Sequence, residues 1–424
     1  MKLFQQMLVA GASLSLIAPI AAQASDVVNL EEMSSYSRST KKISSRIDSS
    51  TFTNKISEDL ANLKGRMDGL EVKQREFEAG SFTDTTTMDG KAIMWIGGVD
   101  GGDNLGGAET VQTGYTYTMN LNSSFTGDDN LYIRIKTGNM TDWMTSTTYG
   151  TYLVSGKGGA DALGIDKIWY EFPVGERHTV WVGPKIENYY MHATTPSIYQ
   201  PVTKQFTLGG NGAAYGASTN SGAGWAYNWD NGVALSSNVV SKQNGTTNGL
   251  LTEQAQTSWA TQIGYTQPQY SASVIVNQKY NGWTDSYFST ATGKARAGSG
   301  NSQNIGLRGW WRPAETGTIT PSVSVGYDVS DIDQAPSNAS STSAYFVGLN
   351  WSDMFQADDK IGFAIGQPQK NESETKDPIA YEAYYSFKMN DSVTVTPTIF
   401  HTSARDSTAT NDVTGFVVDT IFKF

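Results

Sequence analysis

Val413-Thr414-Gly415-Phe416-Val417-Val418-Asp419-Thr420-Ile421-Phe422-Lys423-Phe424 is the stretch on which the fold turns. Counting back by twos from Phe424 gives Phe422, Thr420, Val418 and Phe416, a largely aromatic and apolar face. Asp419 and Lys423 fall on the other face, so the segment reads as a β-strand with one greasy and one polar side. With an aromatic residue in last place, it suits the closing strand of a β-barrel whose outer face meets lipid. An amphipathic strand of a soluble domain has the same pattern, so the rest of the chain must decide.

At the other end, Lys2, the moderately apolar stretch Met7 to Ile20 and the small-residue site Ala22-Gln23-Ala24 predict a secretory signal peptide over residues 1–24. The chain has no cysteine, which excludes disulfides and thiolate metal sites. Past the signal, no run approaches the roughly 18 apolar residues a spanning helix needs, so a membrane-spanning chain must cross with strands. Charged residues make up 17% of the chain, below the roughly 25% of ordinary soluble domains. A mean hydropathy of -0.38 is compatible with a barrel, in which only alternate strand residues face lipid. The net charge of -11 disfavours nucleic acid as a partner, since phosphate binding needs a basic footprint. It leaves open which ions a pore would pass, because loop charges count equally in the sum.

Ile56, Leu60, Leu63, Met67, Leu70 and Phe77 recur at spacings of four and three, with Gln74 at the remaining seam position. About three heptads of this kind predict a coiled-coil stalk over residues 51–80, with three chains expected, although Gly65 and Gly69 weaken the helix. An amphipathic helix packed on its own domain is the competing reading. Residues 25–50, rich in Ser, Lys and Arg without periodicity, read as a flexible leader.

From Ser81 onward the period is two. Tyr115, Tyr117, Met119 and Leu121 alternate with Thr116, Thr118, Asn120 and Asn122, and Leu131, Ile133 and Ile135 alternate with Tyr132, Arg134 and Lys136. Ile168, Tyr170 and Phe172 alternate with Lys167, Trp169 and Glu171; after the turn at Pro173 to Glu176, Val180 and Val182 alternate with Trp181, Gly183 and Lys185. Further segments continue to the C-terminus, and the tally over residues 81–424 is about sixteen, an even number as single-chain bacterial barrels require. Short links such as Thr126 to Asn130 and Asp230-Asn231 alternate with long ones such as Asn139 to Gly164 and Glu187 to Gly222. Short turns on one side and long loops on the other form the outer-membrane arrangement. The fold expected is therefore an all-β transmembrane antiparallel barrel behind a short helical stalk.

Ile165-Asp166-Lys167-Ile168-Trp169-Tyr170-Glu171-Phe172-Pro173-Val174-Gly175, followed by Val180-Trp181-Val182-Gly183-Pro184-Lys185, resembles the best-marked hairpin of the cyanobacterial outer-membrane porins, a branch of the carbohydrate-selective porin family. Leu121 to Leu131, with Arg134 and Gly138-Asn139, is similar as well. So is the order of parts: leader, coiled coil, the junction Phe77-Glu78-Ala79-Gly80, then barrel. The resemblance implies a passive, water-filled channel for small hydrophilic solutes and inorganic ions, set in outer-membrane lipid as a homotrimer, with its stalk in the periplasm. Members of the family commonly carry an S-layer-homology module before the coiled coil. Residues 25–50 show no such motif, so contact between the stalk and peptidoglycan, or its linked polymer, stays open. Sugars, phosphate or nitrate, and iron species all stand as solutes.

In general-diffusion porins the third external loop folds inward and narrows the channel. Here that loop is Glu187 to Gly222; Glu187, Tyr189, Tyr190, His192 and Lys204 are its candidate constriction residues, beside a glycine-rich run from Gly209 to Gly216. Arg134, Lys136, Lys167, Lys185 and Arg308 are candidates for a basic lumen wall. They either bias passage toward anions or pair with Asp166, Glu171 and Glu187 to hold the loop. Trp169, Trp181, Trp310 and Tyr132 either form a sugar-stacking track or, the favoured reading, pack between wall and loop. Asp328, Asp331 and Asp333 are placed in an external loop, where a solvated acidic segment is preferred to a calcium site. Phe416, Phe422 and Phe424 mark the closing strand. No enzyme, cofactor or metal site is expected: His178, His192 and His401 are the only histidines, and no nucleophile motif accompanies them. A hydrolase built on His401, Ser403 and Asp406, and a stalked soluble adhesin, are the alternatives from other classes.

Overall fold

The computed structural model describes Lys64 and residues 81–83, 85–101, 109–146, 150–210, 212–242, 249–285, 289–290, 300–333, 340–404 and 412–424. The expected signal peptide and leader, and all of the expected coiled coil but Lys64, lie outside the described residues. The unit that follows is Phe82–Phe424.

Besides the three-residue strand Ser81–Thr83, sixteen longer antiparallel strands form the barrel among the described residues: β1 (Thr86–Asp100), β2 (Gln112–Ser123), β3 (Asn130–Gly138), β4 (Gly164–Val174), β5 (His178–Ile186), β6 (Asn220–Asn228), β7 (Val233–Ser241), β8 (Thr257–Gln267), β9 (Tyr270–Tyr280), β10 (Ser302–Trp311), β11 (Ser322–Ile332), β12 (Ser341–Ser352), β13 (Lys360–Asn371), β14 (Ala380–Asn390), β15 (Val393–Thr402) and β16 (Val413–Lys423). Each pairs with its sequence neighbour, and β16 pairs with β1 from Thr414↔Asp100 to Lys423↔Lys91. The sheet is closed and leaves no unpaired edge for hydrocarbon to meet.

Closure extends one residue past the last strand. Gly90 N donates to Phe424 O (2.9 Å) and Phe424 N returns to Gly90 O (3.2 Å). The Phe424 ring lies over Gly90, where a Cβ would come within 2.6 Å of it, and stacks on Tyr117 at 5.8 Å. Phe416 and Phe422 face Gly98 and Ala92 across the seam. Phe424→Ala removes the stack at the seam and is expected to destabilise the folded barrel by about 1–2 kcal/mol. The check is the urea midpoint of the heat-modifiable band on gels; an unchanged midpoint would contradict the role of this ring.

Alternation sorts the side chains. On β9, Ser271, Ser273, Ile275, Asn277 and Lys279 are buried inside, while Tyr270, Val274 and Tyr280 are exposed outside. Met94, Val182, Trp259, Ile263, Leu307, Trp311, Val325 and Tyr327 continue the exposed apolar exterior. An apolar belt around a polar interior is the pattern required when the solvent outside is lipid.

Two of the short turns are built alike. In Phe125-Thr126-Gly127-Asp128-Asp129, the last carboxylate accepts from Phe125 N (2.9 Å) and Thr126 N (2.7 Å), and from Tyr170 Oη on β4 (2.7 Å). In Phe355-Gln356-Ala357-Asp358-Asp359, Asp359 accepts from Phe355 N (2.9 Å) and Gln356 N (3.1 Å), and from Tyr385 Oη on β14 (3.0 Å). Each aspartate thus ties a hairpin end to the next strand and fixes register there.

One sequence assignment moves. β11 starts after Pro321, whose missing N–H cannot serve the ladder, and runs on to Ile332. Asp328 and Asp331 are therefore strand residues and not parts of an acidic loop.

Candidate functional site

Interior faces of β7 to β12 carry mostly Ser, Thr, Asn, Gln, Ala and Gly, which leaves room for backbone to enter the barrel. The segment 187–219 uses that room. Asn188 Nδ2 donates to Asn238 Oδ1 on β7 (2.8 Å), Thr194 N donates to Gln262 Oε1 on β8 (3.0 Å), and Tyr199 N donates to Ser324 Oγ on β11 (3.2 Å). Val202 and Thr203 reach Glu382 on β14, and Thr402 Oγ1 on β15 donates to Gln205 Oε1 (3.3 Å). On the way back, Arg308 Nε donates to Leu208 O (2.8 Å) and Asn277 Nδ2 to Ala214 O (3.1 Å). Glycine permits the approach: a Cβ on Gly326 would stand 1.9 Å from Gly209 O, and one on Gly348 2.7 Å from the Tyr199 ring. At the short-turn end the lumen keeps a cavity of about 490 Å³ below this loop, lined by Thr195, Gln200, Arg312, Ser322, Asn350 and Lys360 among others.

The second long loop, 139–163, enters as well. Val154 N donates to Val202 O (2.8 Å) and Lys204 N to Tyr152 O (2.6 Å), so the two loops pair inside the barrel. Met140, Trp143, Met144 and Leu153 pack with Trp95, Val99, Phe400 and Val417 from the wall. From the fifth long loop, Trp283 and Asp285 are buried beside Lys279, which pairs with Asp285 at 2.8 Å. Sequence reasoning followed only the third loop; the apolar cluster Met140, Trp143, Met144 in an otherwise polar loop was the available signal.

Cations gather where these loops meet β3 and β4. Asp166 lies 3.1 Å from Lys157 and 3.9 Å from both Arg134 and Lys167. Lys167 donates to Glu187 Oε1 (2.8 Å) and Thr219 Oγ1 (2.6 Å). Lys204 holds its ammonium 4.2 Å from the centre of the Tyr152 ring, and Lys136 lies in the field of Lys204, Lys157, Arg134 and Asp166. Burial pushes the Lys204 ammonium down to about 8, against the pull of Glu187. Arg134 also donates to Tyr132 Oη (2.8 Å) and Tyr190 Oη (3.2 Å).

An aromatic row runs beside this cluster: Tyr132 on Trp169 (4.3 Å), Trp169 on Tyr190 (4.6 Å), Tyr190 on Tyr189 (4.2 Å). Wall and loop rings cover one another's faces. Trp181 donates to Glu171 (2.7 Å), and Trp310 donates to Thr195 O on the third loop (3.2 Å). Arg308 forms a buried pair with Asp328 (2.9 Å) and lies over Tyr215 at 5.1 Å. His192 packs edge-on against Tyr215, and burial pushes it down to about 3, so it stays neutral.

Lys185 is a correction. The ladder between β5 and β6 slips between Gly183 and Ile186, which puts Ile186 into the interior cluster and leaves Lys185 exposed, its Nζ on Ile165 O. The bulge at Pro184 breaks the alternation that pointed Lys185 inward. His401 stacks on Tyr381 and bonds to Thr414, whereas Ser403 donates to Ile379 O; Asp406 lies outside the described residues.

Residues 47–421 match the family model described as carbohydrate-selective porin, OprB family. The chain belongs to this family. It is 25% identical over 395 residues to an uncharacterized protein of Nostoc sp., covering 81% of this chain and 66% of that one. A second uncharacterized protein, from Synechocystis sp., is 24% identical over 381 residues, covering 80% of this chain and 69% of that one. The chain thus spans about two thirds of the length of the curated relatives it matches. Among solved structures, OprB of Pseudomonas putida superposes with a TM-score of 0.58 at 11% identity, over 84% of this chain and 97% of that chain. A loop-deletion mutant of the Vibrio cholerae outer-membrane protein OmpT (9% identity) and a mutant porin of Rh. blastica (12%) each give 0.50, over 80% of this chain and 99% and 100% of theirs. Family and closed barrel together make this an outer-membrane porin, a channel fold with a loop-lined lumen.

Proposed function

We propose that this porin passes small hydrophilic solutes and inorganic ions passively, as a homotrimer, and that the cluster of Arg134, Lys136 and Lys167 on the wall with Lys157 and Lys204 on the loops is a filter favouring anions. The observation that carries this is the imbalance at the narrowing: those cations share the carboxylates of Asp166 and Glu187. In a lumen with low-dielectric walls, excess fixed charge of one sign concentrates mobile ions of the other. Nothing in such passage needs a nucleophile or a cofactor. Segment 51–80 is proposed to join three chains as a coiled coil in the periplasm, which the heptad spacing supports.

The family description points to sugars, and the ring row from Tyr132 to Tyr189 is the feature that would serve them. Its faces are occupied by one another, which favours packing over a sugar track.

A pH series supplies the test. Lys204 is charged below about 8 and neutral above it, so the anion preference should weaken as pH rises through that value. Reversal potentials in a potassium chloride gradient would register the change. A cation-selective channel at pH 7 would contradict the filter, and a potential constant from pH 6 to 9 would contradict the part of Lys204 in it.

A further inference from the structure

We propose that Glu382 on β14 is the positioning residue of the channel: it docks the third loop against the far wall, and thereby sets the aperture and delivers Lys204 to the basic wall. Glu382 is fully buried. Its Oε1 accepts from Tyr199 Oη (2.9 Å) and Val202 N (3.1 Å), and its Oε2 accepts from Thr203 N (2.8 Å) and Thr203 Oγ1. Four donors from a five-residue span of loop thus converge on one wall side chain. Only an acceptor with both oxygens free of hydrogen can meet them all.

The wall is shaped to receive this span. Gly348 leaves the slot into which the Tyr199 ring fits beside Phe346 and Tyr384. Asn350 accepts from Gln200 N and donates to Tyr384 Oη (2.8 Å), completing the socket. The residue after the clamp is Lys204, whose N–H goes to Tyr152 O of the second loop while its ammonium lies over the Tyr152 ring. Glu382 therefore fixes Lys204 through one peptide bond. A hydrogen bond to a charged group contributes enough that losing one raises the undocked-to-docked ratio of the loop about tenfold or more.

The charge half of this proposal rests on the filter reading above; the aperture half does not. In planar bilayers, full-length Glu382→Gln protein is expected to show larger unitary conductance, at least about tenfold more frequent transitions between levels, and a reversal potential shifted toward zero. Liposome swelling should admit larger sugars. Glutamine is nearly isosteric, but its amide turns hydrogens toward two of the donors. Should Glu382→Gln fail to fold, the loop-side variant Tyr199→Phe with Thr203→Ala removes two donors and keeps the wall intact, and the same changes are expected. A folded variant of either kind with native conductance, size limit and potential would overturn the proposal. Larger conductance with an unshifted potential would overturn the role of Lys204 alone. Cation selectivity in the native protein would sink the filter reading and leave the aperture result standing.

Discussion

Replacing Arg134, Lys136 and Lys204 together by glutamine is expected to abolish the anion preference while the barrel still folds. Arg134 and Lys136 stand on β3 and Lys204 reaches them from the third loop, and the acid beside them is already shared: Asp166 has Arg134, Lys157 and Lys167 within 4 Å. Two unit charges 4 Å apart interact by roughly 1 kcal/mol in bulk water and by more in a confined lumen. Three charges should therefore change the anion-to-cation permeability ratio by about tenfold or more. Asp166→Asn should act in the opposite direction, since it releases Lys157, Arg134 and Lys167 from a shared carboxylate. Reversal potentials for both variants give a test in sign as well as size. If Asp166→Asn moved selectivity toward cations, or the triple variant left it unchanged, the charge argument would be wrong.

The second large effect concerns Arg308. With Asp328 it forms a pair whose side chains are 1% and 3% exposed, and its Nε also holds the third loop at Leu208 O. Removing one partner of a buried pair leaves the other charge without its counter-ion, at a cost of about 3–5 kcal/mol. Arg308→Met should therefore destabilise the barrel by about that amount. Adding Asp328→Asn should recover most of the loss, because the surviving group is then neutral. Urea unfolding in detergent micelles reads both. Equal loss in single and double variants would show that the arginine acts through packing alone.

The barrel was legible because a lipid-facing sheet imposes period two, and Tyr115 to Leu121, Ile168 to Phe172 and Phe416 to Phe424 all follow it. Alternation likewise placed Lys167, Trp169, Trp181, Arg308 and Trp310 on the interior face. It misled at Lys185, where a bulge beside Pro184 shifts the count, and at Asp328, where Pro321 delays a strand. Glu382 could not be found this way. Periodicity says only that it points inward; its meaning lies in contacts with Tyr199, Val202 and Thr203, about 180 residues away. The pairing of the second and third loops is long-range in the same sense, since backbone bonds such as Val154 N to Val202 O carry no side-chain signature. The charge cluster was partly legible: alternation points to the strand cations and the inward third loop to Lys204, whereas Lys157 reaches the cluster from the second loop with no pattern to mark it.

The most direct measurement is single-channel recording of the purified protein in planar bilayers. A closed sixteen-stranded wall with an inserted loop predicts discrete, ohmic steps that recur at one size, with a salt-gradient potential of the sign set by permeant anions. A protein that inserts into the bilayer, gives the heat-modifiable band of a folded barrel and yields no steps would contradict the account at its centre.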